Sequence, residues 1–211
     1  MRLFLINLGY MLLLLNFILY AVGFLKHGKA YKIFTIYLLV LIGVQAAAAI
    51  LMRMKVSNLF MSHLYFIGQF ISLSFFYLAL VKDQFQKKAI KIGFVLVLIT
   101  LITQYVLKPE LFFKFNLYEI FITSFLLIIY ATFHFYNMLD EKKEFYFINM
   151  GILLYLFGST ILFLVGNLTV NFSKKFNLIT WMLNAALIVV YHLFILYEWK
   201  ISYFENKKKK L

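Results

Sequence analysis

Seven uninterrupted apolar runs dominate the chain, at roughly 3–25, 31–52, 58–81, 89–107, 115–138, 146–168 and 177–199. As a helix, each run spans a hydrocarbon core of about 30 Å, which takes about 20 residues. Inside lipid every backbone N–H and C=O needs an internal partner, so only helices and closed barrels cross it. Barrel strands alternate polar and apolar over about 10 residues. These runs are continuous and twice as long. The expected fold is therefore all-α, a polytopic membrane protein built as a bundle of seven transmembrane helices. Short links make successive helices antiparallel. Residues 1–199 form one transmembrane domain, and 200–211 form a basic tail. The composition agrees, with 64% hydrophobic residues where soluble domains have about half.

The net charge of +13 raises the question of nucleic acid, and the placement of the charge answers it. Lys and Arg sit in the links and the tail rather than along a soluble face. Of the 21 basic residues, 14 fall in the odd links and the tail: Lys26, Lys29, Lys32, Lys82, Lys87, Lys88, Lys91, Lys142, Lys143, Lys200 and Lys207 to Lys210. The N-terminus and even links hold the rest: Arg2, Arg53, Lys55, Lys108, Lys114, Lys174 and Lys175. Positive charge in short loops marks the cytoplasmic side, so the N-terminus is expected outside and the C-terminus inside. A bacterial inner membrane is the expected location. The lysine run anchors the tail to anionic lipid. Ala21-Val22-Gly23 loosely resembles a signal-peptide cleavage site. The apolar stretch before it is too long for that, and cleavage would reverse the charge bias.

Several chemistries are excluded. The absence of cysteine removes disulfides, thiolate catalysis and Cys-based metal sites. Run seven has no lysine between Asn177 and Trp199, so it offers no Schiff base for retinal. There is no GxSxG, HExxH or Walker sequence, and no histidine pair at helical metal spacing. No cofactor and no metal are expected. The single proline, Pro109, lies in a link, which leaves the helices without the breaks that carriers commonly use.

Against this apolar ground, Glu119 stands out as a carboxyl a little over one turn inside run five. An ionisable group in a membrane is costly unless paired, hydrated or useful. Gln45, His63, Gln69, Gln104 and Asn184 fall in the same outer half, together with Asn7, Asn167 and Thr180. Polar side chains avoid lipid and turn inward. Glu119, Gln69, His63, Gln45, Gln104 and Asn184 thus define a candidate outward-facing ligand pocket, in which Gln69, His63 or Asn184 can bond to Glu119. The same residues also serve as interhelical glue, worth about 0.6–2 kcal/mol per bond. In the inner half, His134 and His192 read as packing residues. Glu198, beside Trp199 and Lys200, reads as solvated at the boundary. Ala46 to Ala49 suit a close helix crossing.

Phe115-Asn116-Leu117-Tyr118-Glu119, Asn149-Met150-Gly151-Ile152-Leu153-Leu154-Tyr155, and the last helix with Trp181 and Asn184 resemble a family of small, uncharacterised multi-pass proteins of Bacteroidota. The resemblance covers roughly 58–199 and implies a membrane module of unassigned activity, of a family associated with sensor-kinase neighbourhoods, and it brings no catalytic residue with it. Gln69 stands where the family pattern has an acid, which argues against a shared two-acid chemistry. The expected function is non-enzymatic: sensing an apolar or amphipathic ligand from the outer side and acting through a cytoplasmic or membrane signalling partner. The alternatives are a small lipid-modifying enzyme, similar to lysoplasmalogenase-type proteins in size and helix richness, with Glu119 and His63 as its acid–base pair, and a small-solute carrier.

Overall fold

The computed structural model describes residues 2–140, 143–169 and 174–208, and the side chains of 2–140, 143–167 and 178–202. Lys142, the side chains of Lys174 and Lys175, and those of Lys207 to Lys210 lie outside the described residues. The elements run α1 (Arg2–Val22), α2 (Lys29–Arg53), α3 (Met61–Leu80), α4 (Gln84–Leu107), a 3-10 turn (Pro109–Phe113), α5 (Leu117–Asn137), α6 (Tyr146–Thr169) and α7 (Lys174–Lys208). Among the described residues, seven helices are long and apolar enough to cross a membrane. These helical segments differ in length: 20 residues in α3, 21 in α5, and 25 in both α2 and the Leu178–Ser202 part of α7.

Several boundaries differ from the apolar runs. Helix α4 begins at Gln84 rather than near 89, because Asp83 caps it by accepting from Gln86 N at 2.8 Å. Lys87, Lys88 and Lys91 then continue the helix at its polar end. Helix α7 runs on to Lys208 rather than stopping near 199. Apolarity marks the part of a helix that lies in lipid. Lysine and glutamate are good helix formers and prolong it outside. Lys55, at a positive φ of 58°, turns the chain between α2 and α3, and α3 begins at Met61 rather than 58.

The chain divides into two compact units. The first comprises Met1–Gly23 and Phe135–Leu211, and so contains α1, α6 and α7. Its core is built from Leu13, Tyr20, Ile148, Ile152, Tyr155, Leu156, Tyr191 and Ile195. Tyr155 and Tyr191 stack with centroids 5.4 Å apart. Buried Asn16 donates to the His192 carbonyl at 2.9 Å, tying α1 to α7. Gly151 lets α6 approach α7, since a Cβ there would stand 2.8 Å from Phe194 Cβ. Glu198 is buried rather than solvated. Its carboxylate accepts from Phe147 N at 2.7 Å, satisfying one of the free N–H groups at the start of α6. The favourable helix dipole there offsets its desolvation.

The second unit, Phe24–His134, contains α2 to α5 up to the last turn of α5. Phe34, Tyr37, Phe70, Leu73, Phe76 and Tyr77 fill its centre. Phe34 and Phe76 lie 5.3 Å apart. Burial is uneven: 44% of the apolar window is buried in α3 and α5, but 17% in α4. Ile92, Val95, Leu96, Ile99, Ile102 and Val106 form an exposed stripe along α4. Their three- and four-residue spacing gives one helix face, which suits contact with lipid rather than water.

Candidate functional site

Helix α3 begins, α4 ends and α5 begins at the same end of the second unit, as antiparallel neighbours require. The 3-10 turn headed by Pro109 carries the chain from α4 to α5. Asn116 then caps α5: its side-chain oxygen accepts from Glu119 N at 3.3 Å, and its carbonyl accepts from Ile120 N. Glu119 is therefore in the first turn of α5, not a full turn inside it. The positive end of the helix dipole lies beneath it and favours an anion there.

Glu119 is completely buried, and His63 is 1% exposed. Glu119 Oε2 faces His63 Nδ1 at 3.1 Å and accepts a hydrogen bond from the Tyr105 hydroxyl. Tyr105 Oη also lies 2.9 Å from His63 Nδ1. The Asn116 amide donates to Tyr105 Oη at 3.1 Å and to Gln104 Oε1 at 3.0 Å. Donor counting assigns the protons. The tyrosine has one hydrogen and gives it to the carboxylate, so its oxygen accepts from Asn116 and from His63. The proton is therefore on His63 Nδ1. One oxygen of Glu119 thus gathers two donors.

The other two polar atoms of the pair are without partners. Glu119 Oε1 and His63 Nε2 are buried and make no hydrogen bond. The carbonyls of Phe112 and Lys114 lie near the histidine ring, yet neither bonds to Nε2. A buried acceptor with no partner costs about 1–3 kcal/mol.

Aromatic rings cover the cluster. Phe112 stacks on His63 at 5.4 Å and meets Tyr105 edge-on at 5.9 Å. Phe60 and Phe113 extend the layer at 6.1 and 5.7 Å from Phe112.

Three of the six residues singled out from the sequence come together here: Glu119, His63 and, through Asn116, Gln104. Gln69 is buried in the same unit, but its amide donates to Tyr37 Oη at 3.1 Å. Gln45 is half-buried on α2. Asn184 is buried in the first unit, with its Oδ1 unpartnered. Sequence reasoning missed Tyr105, Asn116 as a site residue, and the ring of Phe112. Asn116-Leu117-Tyr118-Glu119 carries a capping pattern that announces a helix start. Tyr105 carries no such signal among 15 tyrosines.

No protein-family model, curated protein or solved structure matches the chain. Its own residues identify it as an all-helical, multi-pass membrane protein.

Proposed function

We propose that this protein is a non-enzymatic sensing or accessory module of a bacterial inner membrane, with its N-terminus outside and its C-terminus in the cytoplasm. A ligand entering from the outer side binds at Glu119 and His63, and the bound state passes to a signalling partner. The observation that carries this reading is a fully buried carboxylate, held in place through one oxygen, whose other oxygen has no partner. Glue alone does not explain it, since glue satisfies its acceptors. The two-to-one charge bias supports the orientation, and the resemblance to small Bacteroidota membrane proteins supports a signalling role.

The test compares transcript profiles of three strains: wild type, a deletion, and chromosomal Glu119→Gln with its protein level verified. Glu119→Gln is expected to reproduce the deletion profile. A wild-type profile from a stable Glu119→Gln protein would remove the role.

One observation favours the enzyme alternative. A carboxylate that holds histidine Nδ1 and leaves Nε2 unengaged is the arrangement of a general base. Purified protein in nanodiscs is expected not to hydrolyse lysolipids, because no nucleophile or second acid joins the pair. Turnover lost in both Glu119→Gln and His63→Ala would replace the binding module by an enzyme.

A further inference from the structure

Glu119 and His63 are buried, so anything arriving from outside first meets the layer that covers them. Two links make that layer. Residues 54–60 join α2 to α3, and 108–116 join α4 to α5, both at the end of the second unit where α3 and α5 begin. Phe60 of one link stacks on Phe112 of the other at 6.1 Å, and Phe112 stacks on His63 at 5.4 Å. The two links therefore form one surface, and Phe112 joins that surface to the pair.

Both links are ordered by their own hydrogen bonds. Val56 N donates to the Leu51 carbonyl at 3.0 Å, and the Asn58 amide donates to the Ala48 carbonyl at 3.2 Å. Leu111 N donates to the Lys108 carbonyl and Lys114 N to the Leu111 carbonyl, each at 3.1 Å. The side chains presented are of two kinds. Arg53, Lys55, Lys108 and Lys114 are exposed, opposed by the exposed Glu110. Met54, Val56, Leu59 and Phe113 are exposed as well, Met54 by 66% and Phe113 by 70%. Large apolar side chains are costly to hold in water. They suit the boundary between hydrocarbon and headgroups, where basic side chains beside them reach the phosphates. A free anion would use the charges and leave the apolar side chains wet. An anionic amphiphile uses both.

We infer that residues 53–60 and 108–114 form a binding surface for anionic phospholipids of the leaflet at this end. The basic side chains draw the headgroup phosphates, the exposed apolar side chains lie against the lipid, and occupancy reaches His63 through Phe112. This names the amphiphile of the sensing role proposed above and rests on that reading for its signal, though not for the binding.

The experiment uses full-length protein in nanodiscs. The chain has no cysteine, so Ser57→Cys, at an exposed position of the first link, carries the sole fluorophore. Brominated phosphatidylglycerol is expected to quench it more than brominated phosphatidylcholine at equal mole fraction. Lys108→Gln and Lys114→Gln should each lower that preference about fivefold, the equivalent of about 1 kcal/mol for one charge at a membrane surface. In 15N-histidine-labelled protein, the His63 signal is assigned from a His63→Gln sample. It is expected to shift as phosphatidylglycerol replaces phosphatidylcholine, and to stay in place when both lysines are glutamine. His27, in the link at the opposite end of α2, reports the general change in surface charge. Equal quenching by the two lipids overturns the surface. A preference that survives the double substitution overturns the assignment to these residues. A preference without a His63 shift beyond that of His27 overturns the connection to the pair. Inorganic phosphate that moves His63 as far in phosphatidylcholine discs overturns the lipid source. Failure here is separable from failure of the sensing role. If the lipids quench equally but Glu119→Gln still reproduces the deletion profile, the sensing site stands and the lipid surface falls. If phosphatidylglycerol is preferred while the Glu119→Gln profile remains wild type, the surface stands and the signalling falls.

Discussion

At the residue scale, Glu119 owes its place to a short stretch of chain. Asn116 spends its oxygen on the helix cap and both its amide hydrogens on Gln104 and Tyr105. Asn116→Ala should therefore cost about 1–2 kcal/mol, the range for losing an N-cap. Asn116→Asp should retain the cap but lose the donors to Tyr105 and Gln104. Unfolding in detergent against denaturant measures both. A neutral Asn116→Ala would mean that the cap does not hold α5. Glu119→Gln keeps the volume of the side chain, and with a neutral His63 it leaves no uncompensated charge behind, so its unfolding midpoint should stay close to that of the wild type. A large loss would show that the anion itself binds the helices together. The sequence made Glu119 visible through charge in an apolar run, and His63 was among its named partners. Tyr105 was hidden, because a tyrosine near a membrane interface reads as part of the aromatic belt.

At the element scale, the helix–helix contacts differ in how much they yield. A methyl on Gly151 would strike Phe194 Cβ at 2.8 Å, an atom fixed to its backbone. A methyl on Gly158 would meet Leu187 Cδ1 at 2.6 Å, the free end of a side chain. Gly151→Ala should then cost about 1–3 kcal/mol by forcing the helices apart. Gly158→Ala should cost less, since the leucine can turn and alanine favours the helix. Thermal unfolding of the two variants side by side checks the order, and equal losses would contradict it. Glu198 adds a second tie within the same unit. Glu198→Ala should destabilise by about 1–2 kcal/mol by freeing the Phe147 amide in the first turn of α6. The periodicity of single helices was legible in the sequence. Which glycine meets a backbone-fixed atom and which meets a flexible one was not, because that depends on the rotation of each helix against its neighbour.

At the scale of the whole molecule, the number of helices and their approximate limits were legible from apolarity alone. The charged ends of α4 and α7 were not, because apolarity reports solvent and not backbone conformation. Reporter fusions should read cytoplasmic after Glu205 and periplasmic near Lys174, as the charge bias requires. The reverse pattern would move the Glu119 cluster to the cytoplasmic face. The unequal spans carry a further consequence. At a rise of about 1.5 Å per residue, the 25-residue helical segments of α2 and α7 reach about 37 Å, while the 20 residues of α3 reach about 30 Å. In a bilayer with a core of about 30 Å, α3 matches the thickness, while α2 leans or carries its Lys29, Lys32 and Arg53 ends into the headgroup layer. These two helices pack on one another. Shorter acyl chains leave both helices longer than the core, so both lean, and α3, which starts matched, turns through the larger angle; thinning the membrane thus changes how the two cross. The thickness of the bilayer is thus itself an input to the unit that holds Glu119, independent of any molecule that binds there.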